Sequence, residues 1–237
     1  MILLKLILAH LIGDFLLQPK SWIDDKEKNK HSSLYLYAHV ALHGLLSFLL
    51  LGNFKYWSLV TAIVVGHYAI DLIKLHYQTE KTRIKWFIGD QILHISVIFS
   101  CYWLFVRPII NFANLQTNAV WIYITALLVI TNVSGIFIQN LMTNWSKKLG
   151  EGKDDSLKNA GKYIGILERL FVFLFVIIGT WDPIGYLLAA KSIFRFGDLR
   201  ESKDRKLTEY ILIGTLLSFG ISILVALLVK HLILQLQ

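Results

Sequence analysis

LILAHLIGDFLLQP, residues 6–19, is an apolar stretch interrupted by two ionisable side chains four positions apart, His10 and Asp14. The same device returns three times: His39 and His43 in AHVALHG (38–44), His67 and Asp71 in GHYAIDLIK (66–74), and Asp90 and His94 in GDQILH (89–94). Residues i and i+4 of an α-helix project from one face, one turn apart. Each segment therefore offers two polar side chains in one direction. Brought together, four such helices enclose five imidazoles and three carboxylates, the donor set of a metal site.

The rest of the chain says what kind of helices these are. Of 237 residues 55% are apolar and only 17% charged, and mean hydropathy is +0.56. Apolar runs of roughly twenty residues, the length that crosses a bilayer, recur from end to end. The chain is expected to be all-α, a polytopic transmembrane helical bundle of about eight spans. These lie at 2–18, 34–52, 57–76, 86–106, 119–142, 162–180, 183–197 and 208–234. The seventh opens cleanly on Asp182 and Pro183 but is short, so it is tilted or half-inserted. Residues 2–18 carry His10 and Asp14 and no small-residue cleavage pattern, and read as a span, not a signal peptide. Pro108 and Asn111 mark a break between a His/Asp half, 1–106, and a second half, 119–237. The run from Gly150 to Lys158 is the longest expected loop. No internal repeat relates the halves. Cys101 is the lone cysteine, which excludes an internal disulfide and a multi-thiolate zinc site.

Lysines and arginines collect in alternate loops: Lys20 to Lys30, Lys74 to Lys85, Lys147 to Lys162, and Arg200 to Lys206. The intervening loops hold only Lys55, only Arg107, and none. By the positive-inside rule the basic loops face the cytoplasm and both termini face outward. This distribution also accounts for the net charge of +8, and it suits anionic lipid headgroups. No nucleic-acid motif is present. With that orientation all four pairs fall at one depth, in the cytoplasmic half of the bilayer.

Energetics favour a shared role for the pairs. A charged residue at a helix centre costs about 2.5–3.5 kcal/mol on insertion scales, so Asp14, Asp71 and Asp90 left unpaired cost on the order of 8–10 kcal/mol. A divalent ion offsets this. The predicted metal ligands are His10, Asp14, His39, His43, His67, Asp71, Asp90 and His94. Zn²⁺ suits mixed imidazole and carboxylate ligation best, with Fe²⁺ or Mn²⁺ as alternatives. Eight side chains exceed the needs of one tetrahedral ion, so either two ions bind or some of the eight orient the ligands. Asp71 or Asp90 is the expected catalytic proton acceptor. Lys74, Glu168, Arg169, Lys191 and Arg195 form the expected substrate-binding set, its cations gripping an anionic headgroup or phosphate. A structural alternative pairs Glu168 with Lys191 or Arg195.

The four fragments above, together with GILERL (165–170), AAKSIFRFGD (189–198) and EYILIGTLLSF (209–219), resemble across nearly the whole chain the bacterial membrane family of domain of unknown function 3307. The resemblance implies a multi-pass protein of a bacterial inner membrane and brings no reaction with it. The H-x-x-x-D pairs also look like those of membrane-bound metal-dependent hydrolases of the DNA-damage response. The expected function is a metal-dependent membrane hydrolase acting on a lipid-linked phosphate or ester from the cytoplasmic side, with membrane lipid as partner. An ion-coupled or metal-ion transporter and a haem-binding membrane protein are the alternatives.

Overall fold

The computed structural model describes residues 1–107, 119–149, 160–196 and 202–235, and every element among them is helical. Side chains 144, 147–149, 194–196 and 202–205 lie outside that description, as do the expected break at Pro108 and Asn111 and the loop from Gly150 to Lys158. The chain divides into two compact units, Met1–Trp121 and Ile122–Gln237.

In the first unit α1 (Ile2–Phe15) stops well short of the expected 2–18. Pro19 disfavours a helical Gln18, and the chain restarts at an angle of 82° as α2 (Lys20–Asn29), continued by a 3₁₀ turn to Ser32. This helix corrects the sequence reading, which treated residues 19–33 as loop. KSWIDDKEKN has too few apolar residues to show a helical period, so its fold depends on what it docks against. Trp22 stacks on Tyr35 with ring centroids 5.4 Å apart, and Glu27 accepts hydrogen bonds from Arg83 and Gln78.

Three long helices follow: α3 (Leu34–Leu51), closed by left-handed Gly52, then α4 (Trp57–Tyr77) and α5 (Arg83–Val106). α1 packs on α3, α3 on α4, α4 on α5 and α5 back on α1, a closed ring of four. Leu6, Leu59, Ile63 and Ile98 fill one end of it, with Leu51, Cys101 and Val106 packed against them. The polar pairs occupy the other end, because α1 and α4 run toward it and α3 and α5 run away. Small residues bring the helices close: a Cβ on Gly66 would fall 2.6 Å from Val97 Cγ1.

The second unit begins within α6 (Ala119–Leu128), which passes through a π-helical turn, Val129–Val133, into α7 (Ser134–Leu149). α8 (Ala160–Ile178), α9 (Asp182–Phe196) and α10 (Ser202–Leu234) complete it. α10 packs along α8 and α7, and α9 on α8, around Ile130, Met142, Val172, Val176 and Phe219.

Five stretches are long and apolar enough to cross a membrane: Leu34–Leu51, Phe54–Tyr77, Arg83–Val106, Ala119–Thr143 and Lys206–Leu234. They become six if α1 and the bent segment after it count as one span. Of the other expected spans, α8 carries Lys162, Glu168 and Arg169, and α9 is only 15 residues long. Leu49, Ile92, Leu104 and Leu224 are more than half exposed, as lipid-facing side chains are.

Candidate metal centre

Each helix of the first ring delivers its own pair to one buried cluster: α1 brings His10 and Asp14, α3 His39 and His43, α4 His67 and Asp71, α5 Asp90 and His94. Seven of the eight are buried outright and Asp14 is nearly so. They fall into three overlapping groups that could each hold a metal ion: His10, Asp14, His43 and His67; His39, His67 and Asp71; and Asp14, Asp90 and His94. Within each group one donor atom per residue lies within 4.8 Å of the others. His67 and Asp14 belong to two groups each.

Asp14 is the hub. Its Oδ1 lies 3.0 Å from His43 Nε2, 3.2 Å from His39 Nε2 and 3.8 Å from His67 Nε2. Its Oδ2 accepts a hydrogen bond from Gln91 Nε2 at 2.8 Å and lies 3.8 Å from His10 Nε2. His67 is sandwiched between the rings of His43 and His94, both 3.9 Å away centroid to centroid. All five imidazoles turn Nε2 toward carboxylates, the arrangement a shared cation requires. His94 Nε2 sits 3.4 Å from Asp71 Oδ1 and 3.3 Å from Asp90 Oδ1, yet neither it nor Asp90 Oδ1 completes a hydrogen bond. Two buried polar atoms that face each other without a hydrogen bond mark this part of the cluster as an incompletely closed polar network.

The structure adds three residues that the sequence reading did not place here. Lys26 of α2 reaches Asp71 Oδ2 at 3.0 Å with both side chains 8% exposed. Lys74 donates to Asp90 Oδ2 at 2.7 Å. Gln91 bridges Asp14 and His10, accepting or donating at 3.2 Å to the latter. Lysines thus meet two of the three carboxylates, Asp71 and Asp90, and Asp14 is left to imidazoles and Gln91. Lys26 had no signal of its own, lying in a run of five charges, Asp24 to Lys28, that reads as a solvated loop. Gln91 had one, its place beside Asp90 on an otherwise apolar helix. Lys74, expected as a substrate-binding residue, is engaged here as a counter-ion.

Close packing of α1 on α3 depends on Gly13, where a Cβ would fall 2.6 Å from His43 Nε2. Gly13→Ala is therefore expected to push His43 off Asp14 and to cost about 1–3 kcal/mol of stability through overpacking. Thermal unfolding and metal content of the variant in detergent check this; unchanged values for both would show that the ring has room to move.

In the second unit Lys191 donates to Glu168 Oε2 at 2.8 Å. Buried Arg169 donates through Nε to the carbonyl of Ile130, through a second nitrogen to Thr131 O at 3.0 Å, and to Ser218 Oγ at 3.3 Å. These two cations are thus engaged by the protein itself, Arg169 by the π-helical turn. The Arg195 side chain lies outside the described residues.

The fold and the site together define a class: an all-helical chain with membrane-length apolar helices, whose first unit encloses a buried His/Asp cage. The family described as "Protein of unknown function (DUF3307)" matches residues 2–123, just over half of the chain, and the chain belongs to that family. The match spans the cage unit, so the three later fragments of the expected resemblance fall outside it. No curated protein and no solved structure matches the chain.

Proposed function

We propose that the chain is a metal-dependent integral membrane hydrolase that cleaves a lipid-linked phosphate or related ester from the cytoplasmic side of a bacterial inner membrane. One observation carries this reading: ligand side chains from four separate helices converge in one buried cluster. His10, Asp14, His43 and His67 would hold the ion, and His39 and His94 would flank it. Zn²⁺ suits this donor set best, with Fe²⁺ or Mn²⁺ as alternatives. When bound, such an ion supplies Lewis-acid polarisation of a phosphoryl or acyl oxygen and an acidified water. Asp71 and Asp90 are the proton acceptors of the reading, each already in contact with His94. Lys74, with a side chain 25% exposed, is the cation of the cage best placed to meet a substrate anion.

The topology that accompanies this reading has eight spans with both termini outside, in which α1 and α9 are the short members and α8 the charged one. It puts the cage end of the ring beside the basic loops.

Detergent-purified protein is expected to contain stoichiometric divalent metal by elemental analysis and to release phosphate from a phosphorylated lipid until a chelator is added. The paired substitution His67→Ala, Asp71→Ala should abolish both. Protein that stays metal-free after equilibration with Zn²⁺ sinks the reading.

A transporter is favoured by a different observation, the lysine–carboxylate pairs at Asp71 and Asp90, since intramembrane Lys, Asp and His also serve ion relays. Metal or proton flux into proteoliposomes, without hydrolysis, would select it. Haem is opposed by the geometry: His39 and His67 meet Nε2 to Nε2 at 3.2 Å, and the stacked rings beside them leave no gap for a macrocycle.

A further inference from the structure

We propose that Lys26 is a built-in cation that takes the place of a second metal ion, so that the cage accepts one ion and not the pair its eight ligands would otherwise admit. The proposal rests on the metal-dependent reading of the cage. Of the three ligand groups, two contain a carboxylate already held by an ammonium: Asp71 by Lys26 at 3.0 Å and Asp90 by Lys74 at 2.7 Å. The group of four, His10, Asp14, His43 and His67, contains no lysine-bound carboxylate. Its only carboxylate, Asp14, is met by imidazoles and Gln91. A divalent ion finds a position there without a resident cation; a second ion, with His67 engaged by the first, would have to use Asp71 with His39 and His94, whose Nε2 atoms lie 3.8 and 3.4 Å from that carboxylate, and would meet Lys26.

Lys26 is the more committed of the two lysines. Its side chain is buried while that of Lys74 remains a quarter exposed. A lysine ordinarily extends its ammonium to water, and burial costs it most of its rotamer freedom. Here α2 is fastened so that it does the opposite. Glu27 is held by Arg83 at 3.1 Å, Trp22 stacks on Tyr35, and Asp25 takes Ser33 Oγ and Asn29 Nδ2. A Zn²⁺ ion bound to Asp71 would sit roughly 2.0–2.2 Å from its oxygen. An ammonium 3.0 Å from that carboxylate and an ion on it would be adjacent like charges, so the resident ammonium opposes the second ion and weakens its binding. With three carboxylates and two ammonium groups, one divalent ion brings the buried cluster to a net charge of +1, and a second would bring it to +3.

The test is metal content per chain after saturation with Zn²⁺ and desalting, read on wild type, Lys26→Met, Lys26→Arg and the pair Lys26→Met, Asp71→Asn. Wild type and Lys26→Arg are expected to hold about one ion, and Lys26→Met about two. The double variant, which removes the vacated carboxylate, should return to about one. Should Lys26→Met not yield folded protein, Lys26→Gln, which keeps a hydrogen-bond donor for Asp71 without the charge, is read in the same way. A neutral Lys26 variant that holds no more metal than wild type overturns the proposal. If wild type holds none, the hydrolase reading falls; a gain of metal on neutralising Lys26 would still support the lysine's role, and no gain would remove both.

Discussion

Asp14→Asn will strip the cage of its ion, while Asp90→Asn, the same chemical change one helix away, will leave most of it in place. Asp14 belongs to two of the three ligand groups and lies within 4 Å of four imidazoles. Asp90 touches one imidazole and is tied to Lys74. Loss of an outer partner typically lowers metal affinity about 10–100-fold, so loss of the shared carboxylate should exceed ~100-fold and Asp90→Asn should stay within that range. Competition with a fluorescent zinc chelator on detergent-purified protein reads the difference. Equal affinities would mean that Asp14 is not the hub its distances indicate. Asparagine is chosen over alanine because it preserves shape and keeps one acceptor oxygen while removing the charge. At Asp71 the choice matters more: alanine there would strand the buried Lys26 ammonium, a loss of the kind that costs about 3–5 kcal/mol.

The second large effect is on stability and belongs to the other unit. Arg169→Leu should destabilise the protein by about 2–4 kcal/mol, because it removes the donor from three buried acceptors and leaves those acceptors behind. They are the carbonyls of Ile130 and Thr131, inside the π-helical turn, and Ser218 on α10. One side chain of α8 thereby ties together the π-helical turn between α6 and α7 and α10. A Cβ on Gly135 would fall 3.3 Å from its guanidinium and one on Gly165 3.2 Å, so the neighbouring backbones are also shaped around it. Exposed Lys162 on the same helix is the control, and Lys162→Leu should change stability by less than ~0.5 kcal/mol. Thermal unfolding in detergent compares the two. Similar melting temperatures for both variants would show that the turn holds without its arginine.

Much of the cage was legible because one simple period carries it. An i, i+4 pair in an apolar helix announces a polar face. That spacing led to all eight His and Asp side chains that the ring brings together. Helix extents followed for α3, α4, α5 and α10 because a membrane-length apolar run leaves a helix little alternative. α2 and Lys26 were not legible. A polar ten-residue helix has no apolar period, and its position is set by Trp22 on Tyr35 and Glu27 on Arg83, contacts between residues up to 56 positions apart. Arg169 was legible as a buried cation, while its partners, backbone carbonyls of a π-turn, have no side-chain signature.

By itself the amino-acid order determined that this chain is helical, that its helices are of membrane length and apolarity, and that four of them carry acids and imidazoles on single faces, since these follow from local spacing and hydropathy. Only the tertiary structure decided which of those groups meet. It made Asp14 the centre, gave Asp71 and Asp90 lysine partners, and spent Arg169 on a helix backbone. The physical reason is that charge pairing and ligation depend on distances of a few ångströms between helices, and those distances are fixed by how helix faces pack, at positions such as Gly13 and Gly66, and not by any one segment's own pattern.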